Sequence, residues 1–76
     1  MILIFAGRKY SASELALANG LDDRDWHFVS GLWTLRGFKR GSTLWVHKGT
    51  YQQNRDWYEV LTLAHERQFD IVYKDY

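Results

Sequence analysis

The segment Ile2-Leu3-Ile4-Phe5-Ala6-Gly7 puts apolar side chains on both faces of an extended chain and then stops at a glycine. A strand that is apolar on both faces is covered by helices on both sides, the condition of a central strand in a parallel sheet. The same punctuation returns at Trp26-His27-Phe28-Val29-Ser30-Gly31 and at Thr43-Leu44-Trp45-Val46-His47-Lys48-Gly49. A polar or helix-prone stretch follows each one, so the rhythm reads strand, loop, helix. Strands separated by helices need crossovers, and crossovers make a parallel sheet.

The first strand is expected over Ile2 to Ala6. Beyond Gly7-Arg8-Lys9, Ser11 is placed as a helix N-cap, with Glu14 as its capping-box partner and Tyr10 packing on Leu15 as a hydrophobic staple. That helix runs from Ala12 to about Asn19. Gly20 supplies the left-handed residue that ends it, and Leu21 folds back onto Leu15 and Ala18. Trp26 to Val29 forms the second strand. From Ser30 a short helical segment carries Leu32, Leu35 and Phe38, bounded by Gly37 and Gly41. The third strand, Thr43 to His47, alternates Leu44 and Val46 on one face with Trp45 and His47 on the other. Asn54 caps a last helix in which Trp57, Val60, Leu61 and Ala64 keep the spacing of one buried stripe. Phe69 to Tyr73 is the fourth strand.

Residues 1–76 therefore read as a single α/β domain, β-α-β-α-β-α-β, a minimal Rossmann-like sandwich. Its four-stranded sheet is mostly parallel, with strand one central. Right-handed crossovers leave the orders 2-1-3-4, favoured here, or 3-2-1-4. Antiparallel pairing of the Trp26 and Val46 segments is the alternative, because their connection is the shortest.

A domain of this size withdraws only roughly 60% of its unfolded surface from water. Four Trp, five Tyr and four Phe answer that constraint, since each large ring buries ~150–250 Å². The absence of cysteine excludes a disulfide framework and a thiolate metal site, and fits a reducing cytoplasm. The opening apolar run has no basic flank and is too short to span a bilayer, so it is read as the first strand of a soluble protein. A net charge of +1 does not by itself argue for nucleic acid. Its distribution is uneven: Asp22, Asp23 and Asp25 form an acidic turn, whereas Arg36, Lys39, Arg40 and Lys48 follow with no acid among them.

The stretch from Gly7 to Ser13 stands where a phosphate loop would, between a central strand and a helix whose free N–H groups attract anions. Arg8, Lys9, Ser11 and Ser13 are its candidate ligands. Only one glycine is present, so neither the dinucleotide nor the phosphate-loop pattern is met. Ser30, Arg36, Lys39, Arg40 and Lys48 extend the candidate anion or nucleic-acid site, with Trp33, Phe38 and Tyr51 interleaved for base stacking. His27, His47 and His65 lie on different elements without ligand spacing, which argues against a metal. Ser30 lacks the nucleophile-elbow pattern, and Asp56 with Glu59 complements the amino end of the last helix. No catalytic residue and no cofactor are expected. The aromatic surplus points to interfaces, with Trp33, Trp45 and Tyr51 as their expected anchors.

The residues Phe5-Ala6-Gly7-Arg8, Val29-Ser30-Gly31 with Leu35-Arg36-Gly37, and Val46 to Tyr51 followed by Arg55-Asp56-Trp57 resemble, in order and spacing, small Rossmann-like proteins of unknown function encoded by bacteriophages of actinobacteria. The likeness spans nearly the whole chain and brings no binding residues with it. It implies a phage accessory protein acting in the host cytoplasm. The expected function is a non-enzymatic module that contacts a host or phage protein, or a second copy of itself. The alternative is nucleotide or nucleic-acid binding at the strand-to-helix edge. No membrane partner is expected.

Overall fold

A computed structural model describes all residues, 1–76. The element order is β1 (Ile2–Phe5), α1 (Lys9–Ala18), β2 (Trp26–Val29), α2 (Leu32–Arg36), β3 (Thr43–His47), a 3-10 turn (Tyr51–Gln53), α3 (Trp57–Glu66) and β4 (Asp70–Lys74). The four strands form one sheet in the order β2-β1-β3-β4, and every pairing is parallel. This is the small Rossmann-like architecture expected, with β1 inside; the antiparallel alternative is excluded by the β1–β2 and β1–β3 ladders.

Strand alternation divides the core in two. Leu3 and Phe5 of β1, Val29 of β2, and Leu44 and Val46 of β3 meet Leu35 of α2 and Val60, Leu61 and Ala64 of α3 on one face. Ile4 and Ala6 meet Ala12, Leu15 and Ala16 of α1 on the other, flanked by Trp26, Phe28 and Trp45. Leu3, Ile4 and Phe5 are fully buried. That is the physical content of the apolar opening run.

The helix ends show where local signals prevailed and where they did not. Gly20 adopts φ +72, with Leu21 N–H on the Ala16 carbonyl and Gly20 N–H on the Leu17 carbonyl, the double bond of a left-handed C-terminal cap. Leu21 folds back onto the α1 core as the sequence predicts. At the other end the expectation fails: α1 starts at Lys9, its N-cap is the extended Arg8, and Ser11 lies within the first turn and makes no cap bond. Tyr10 is exposed rather than stapled to Leu15. The cause is a tertiary anchor. Gly7 N–H is fixed by the Thr50 hydroxyl, so the chain already enters helical geometry at Lys9 and the Ala12 N–H closes the first turn on the Arg8 carbonyl.

The same displacement occurs before α3. Its N-cap is Asp56, not Asn54. The Asn54 side chain instead accepts the Asp56 N–H at 2.9 Å and donates to the Ser30 carbonyl at 3.0 Å, tying the approach to α3 to the end of β2. The fourth strand is shifted by one residue from the expected Phe69 start, because Phe69 N–H is used on the Ala64 carbonyl to close α3.

That closure places Gln68 at φ 58, the only non-glycine residue of positive φ. Left-handed backbone costs an ordinary L-residue roughly 1 kcal/mol that glycine does not incur. Gln68→Gly is therefore expected to stabilise the protein slightly, by up to about 0.5 kcal/mol once the added unfolded-state freedom of glycine, about 0.4–1 kcal/mol, is subtracted. A urea denaturation midpoint that falls rather than rises would contradict this.

Candidate functional site

In an open parallel sheet, ligands gather at the carboxyl ends of the strands, where the chain order reverses. Here the reversal lies between β1 and β3. The loops that leave these two strands begin with Gly7 and with Lys48-Gly49-Thr50.

That crevice is filled by the protein itself. The Gly7 N–H donates to Thr50 Oγ1 at 3.2 Å, and the same oxygen pairs with His47 Nδ1 at 2.6 Å. A methyl group on Gly7 would collide with the Thr50 carbonyl oxygen and stand 2.8 Å from Gln53 Cβ. The 3-10 turn thus sits on the glycine as a plug, and the position a phosphate would take belongs to a threonine hydroxyl. His47 is 3% exposed, its Nε2 is buried without a partner, and the Tyr76 ring meets it edge-on at 5.3 Å. This Gly7–Thr50–His47 cluster was not anticipated from the sequence. Its one visible signal was a histidine alternating with Val46 at the end of an otherwise apolar strand.

The expected basic site separates into two groups. Arg8 and Lys9 follow β1, Ser30 follows β2 and Lys48 follows β3, so these four share the carboxyl edge. Arg36 ends α2, and Lys39 and Arg40 lie in the loop that leads into β3, at the amino edge on the opposite side of the sheet. They therefore do not come together in one cluster; a parallel sheet sends the residues before a strand and those after it to opposite ends. Several are already engaged. Ser30 Oγ bonds Thr34 Oγ1, Lys48 reaches Asp75 at 3.9 Å, and Ser11 is half-buried inside α1. The amino edge is organised by Arg67, whose guanidinium donates to the carbonyls of Arg36 and Phe38 at the end of α2.

The aromatic candidates also part ways. Trp45 is half-buried against the α1 core, with Lys74 Nζ 4.3 Å above its ring. Tyr51 packs edge-on against Trp57 and Tyr73 and belongs to the larger core. Trp33 alone of the three is free: it is 84% exposed, and the Arg36 guanidinium lies 5.4 Å from its ring centroid. Beside it, between α2 and α3, runs an open groove of about 310 Å³ with Leu32, Tyr58 and Leu63 in its walls and Glu59 and Glu66 along the α3 side.

The geometry defines a small all-parallel Rossmann-like domain whose customary ligand crevice is occupied by its own loop, with Trp33 and Arg36 exposed side by side on α2. No family model, curated protein or solved structure matches the chain. No helix is long and apolar enough to cross a membrane.

Proposed function

We propose that this protein is a non-enzymatic accessory module, of the kind a bacteriophage supplies in the host cytoplasm, and that it works by binding another protein through the outer face of α2 and α3. The observation that carries this reading is Trp33. Exposed tryptophan beside arginine is the commonest composition of an interface anchor, and a ring this open has a large apolar area to bury on contact. Tyr58, 66% exposed across the groove, adds a second aromatic to the same face. The plugged crevice also favours a surface function over a pocket function.

Affinity capture from host lysate tests it, with wild-type protein and Trp33→Ala in parallel. A captured protein that is lost with Trp33→Ala supports the reading; equal capture by both, or none by either, overturns it. Because Trp33 makes no core contact, the variant is expected to fold as the parent does.

The nucleic-acid reading keeps one supporting observation, the collection of Arg8, Lys9 and Lys48 at the carboxyl edge beside the amino end of α1. Oligonucleotide binding that weakens steeply with salt, and drops on Lys48→Ala, would put it in first place.

A further inference from the structure

We propose that β2 is a self-association edge: two copies pair their β2 strands antiparallel across a two-fold axis, extending the sheet to eight strands and covering an unpartnered stripe of α1. β2 is an outer strand. In a parallel ladder alternate residues turn their N–H and C=O groups toward the neighbour. Ile2 N–H reaches the Asp25 carbonyl, so Asp25, His27 and Val29 face β1 while Trp26 and Phe28 turn theirs outward. The same two residues carry half-buried aromatic rings on the α1 side of the sheet. Backbone donors and acceptors and apolar side chains are thus presented together.

Above that edge α1 shows Tyr10, Ser13, Glu14 and Leu17, one helical stripe at i, i+3, i+4 and i+7 spacing. All four are exposed, Tyr10 at 72% and Leu17 at 79%. Between the stripe and Trp26 lies an open groove of about 390 Å³. It continues along β2 into a second recess of about 590 Å³, where Lys9 and Asp23 are the charged groups.

A second copy answers each of these features, and that is why it is the occupant we assign. An axis normal to the sheet keeps both α1 helices on one face. With His27 on that axis, Trp26 stands opposite Phe28 of the second copy and the reverse, which pairs the outward-turned backbone groups of both. Antiparallel alignment sets the acidic start of one β2, at Asp23, against the end of the other, where Lys9 stands; the complementarity is repeated by the symmetry. Three strand spacings of ~4.8 Å put the two α1 helices roughly 14 Å apart when each is seated over β1. Direct helix packing needs about 8–10 Å. Tyr10 and Leu17, meeting Leu17 and Tyr10 of the second copy, are large enough to fill the difference. The other outer strand, β4, has no groove beside it, and its tail is folded back over Lys48 and His47.

This surface is distinct from the Trp33 face, so the two readings stand or fall separately. Sedimentation equilibrium from low to high micromolar concentration is the experiment, with far-UV circular dichroism to verify folding. The expected result is a monomer–dimer equilibrium that Leu17→Lys weakens at least about tenfold and Trp33→Ala leaves unchanged. Lys9→Asp and Asp23→Lys each weaken it, and the double variant regains it. A monomer at every concentration overturns the proposal, and so does a dimer indifferent to Leu17→Lys or a dimer abolished by Trp33→Ala. Amide exchange that slows at Trp26 and Phe28 as concentration rises is the independent readout; unchanged exchange in a dimeric sample also overturns it.

Discussion

Phe5→Ala is expected to leave a protein that is largely unfolded at modest urea concentration. Phe5 is fully buried at the end of the central strand, on the face where Val29, Leu35, Val46 and Val60 converge. It is paired on both sides, to Val29 in β2 and to Val46 in β3. Truncating a buried phenylalanine costs about 3–5 kcal/mol, because the lost transfer energy is joined by a cavity that two hydrogen-bonded neighbours prevent from collapsing. Domains have roughly 0.05–0.15 kcal/mol of stability per residue, which for this chain is on the order of 4–11 kcal/mol in all. Between about a quarter and all of that disappears with one side chain. The urea midpoint read by tryptophan fluorescence measures it, and a loss below about 2 kcal/mol would mean that the core is looser than the full burial of Phe5 implies.

The second large effect belongs to Gly7→Ala. The reason is not backbone conformation but approach: the added methyl would collide with the Thr50 carbonyl oxygen and meet Gln53 Cβ at 2.8 Å. A backbone carbonyl cannot rotate out of the way as a long side chain can. Either the 3-10 turn lifts, breaking the Gly7–Thr50 bond and leaving His47 Nδ1 without its partner, or β1 is displaced. Overpacking of this kind costs about 1–3 kcal/mol, and the buried His47 ring nitrogen left unpaired adds roughly 1–3 kcal/mol more. Gly49→Ala is the matched control. There the nearest atom is the His47 ring at 3.4 Å, and little change is expected. Equal stability of the two variants would show that the plug is not seated on Gly7.

If Gly7→Ala also creates binding of inorganic phosphate at the carboxyl edge, the plug has been acting as an occupant of the crevice and not merely as packing. The Thr50 hydroxyl takes the amide that an anion would otherwise use. The loop in this customary position has a single glycine, without the second and third of nucleotide-binding turns. Gly7 is the residue under the turn, and it is the one that has to be small.

Much of this was legible in advance, and the legible part is of one kind. The doubly apolar run Ile2–Phe5 announced a central strand, the three glycine-ended runs announced parallel crossovers, and Gly20 with Leu21 announced the end of α1. The stripe Val60, Leu61 and Ala64 announced the buried face of α3. Ser11 and Asn54 misled because N-cap preference is worth only about 1 kcal/mol. In both cases a hydrogen bond to another segment, Gly7 to Thr50 and Asn54 to Ser30, fixed the chain before the local cap could act. Gln68 gave no signal at all, since nothing in a glutamine marks a left-handed position.

Local composition and spacing alone thus determined which segments are strands and helices and which side chains are apolar enough to form the two cores, whereas the β1 ladders decided between parallel and antiparallel pairing. These are properties of residues within a few positions of one another, where periodicity and turn chemistry act directly. Only the tertiary structure decided that the carboxyl-edge crevice is plugged, that the basic residues fall on two opposite edges, and that Trp33 stays in solvent while Trp45 and Tyr51 turn inward. Each depends on contacts between distant parts of the chain, 43 positions apart for Gly7 and Thr50, and no window of neighbouring residues contains them.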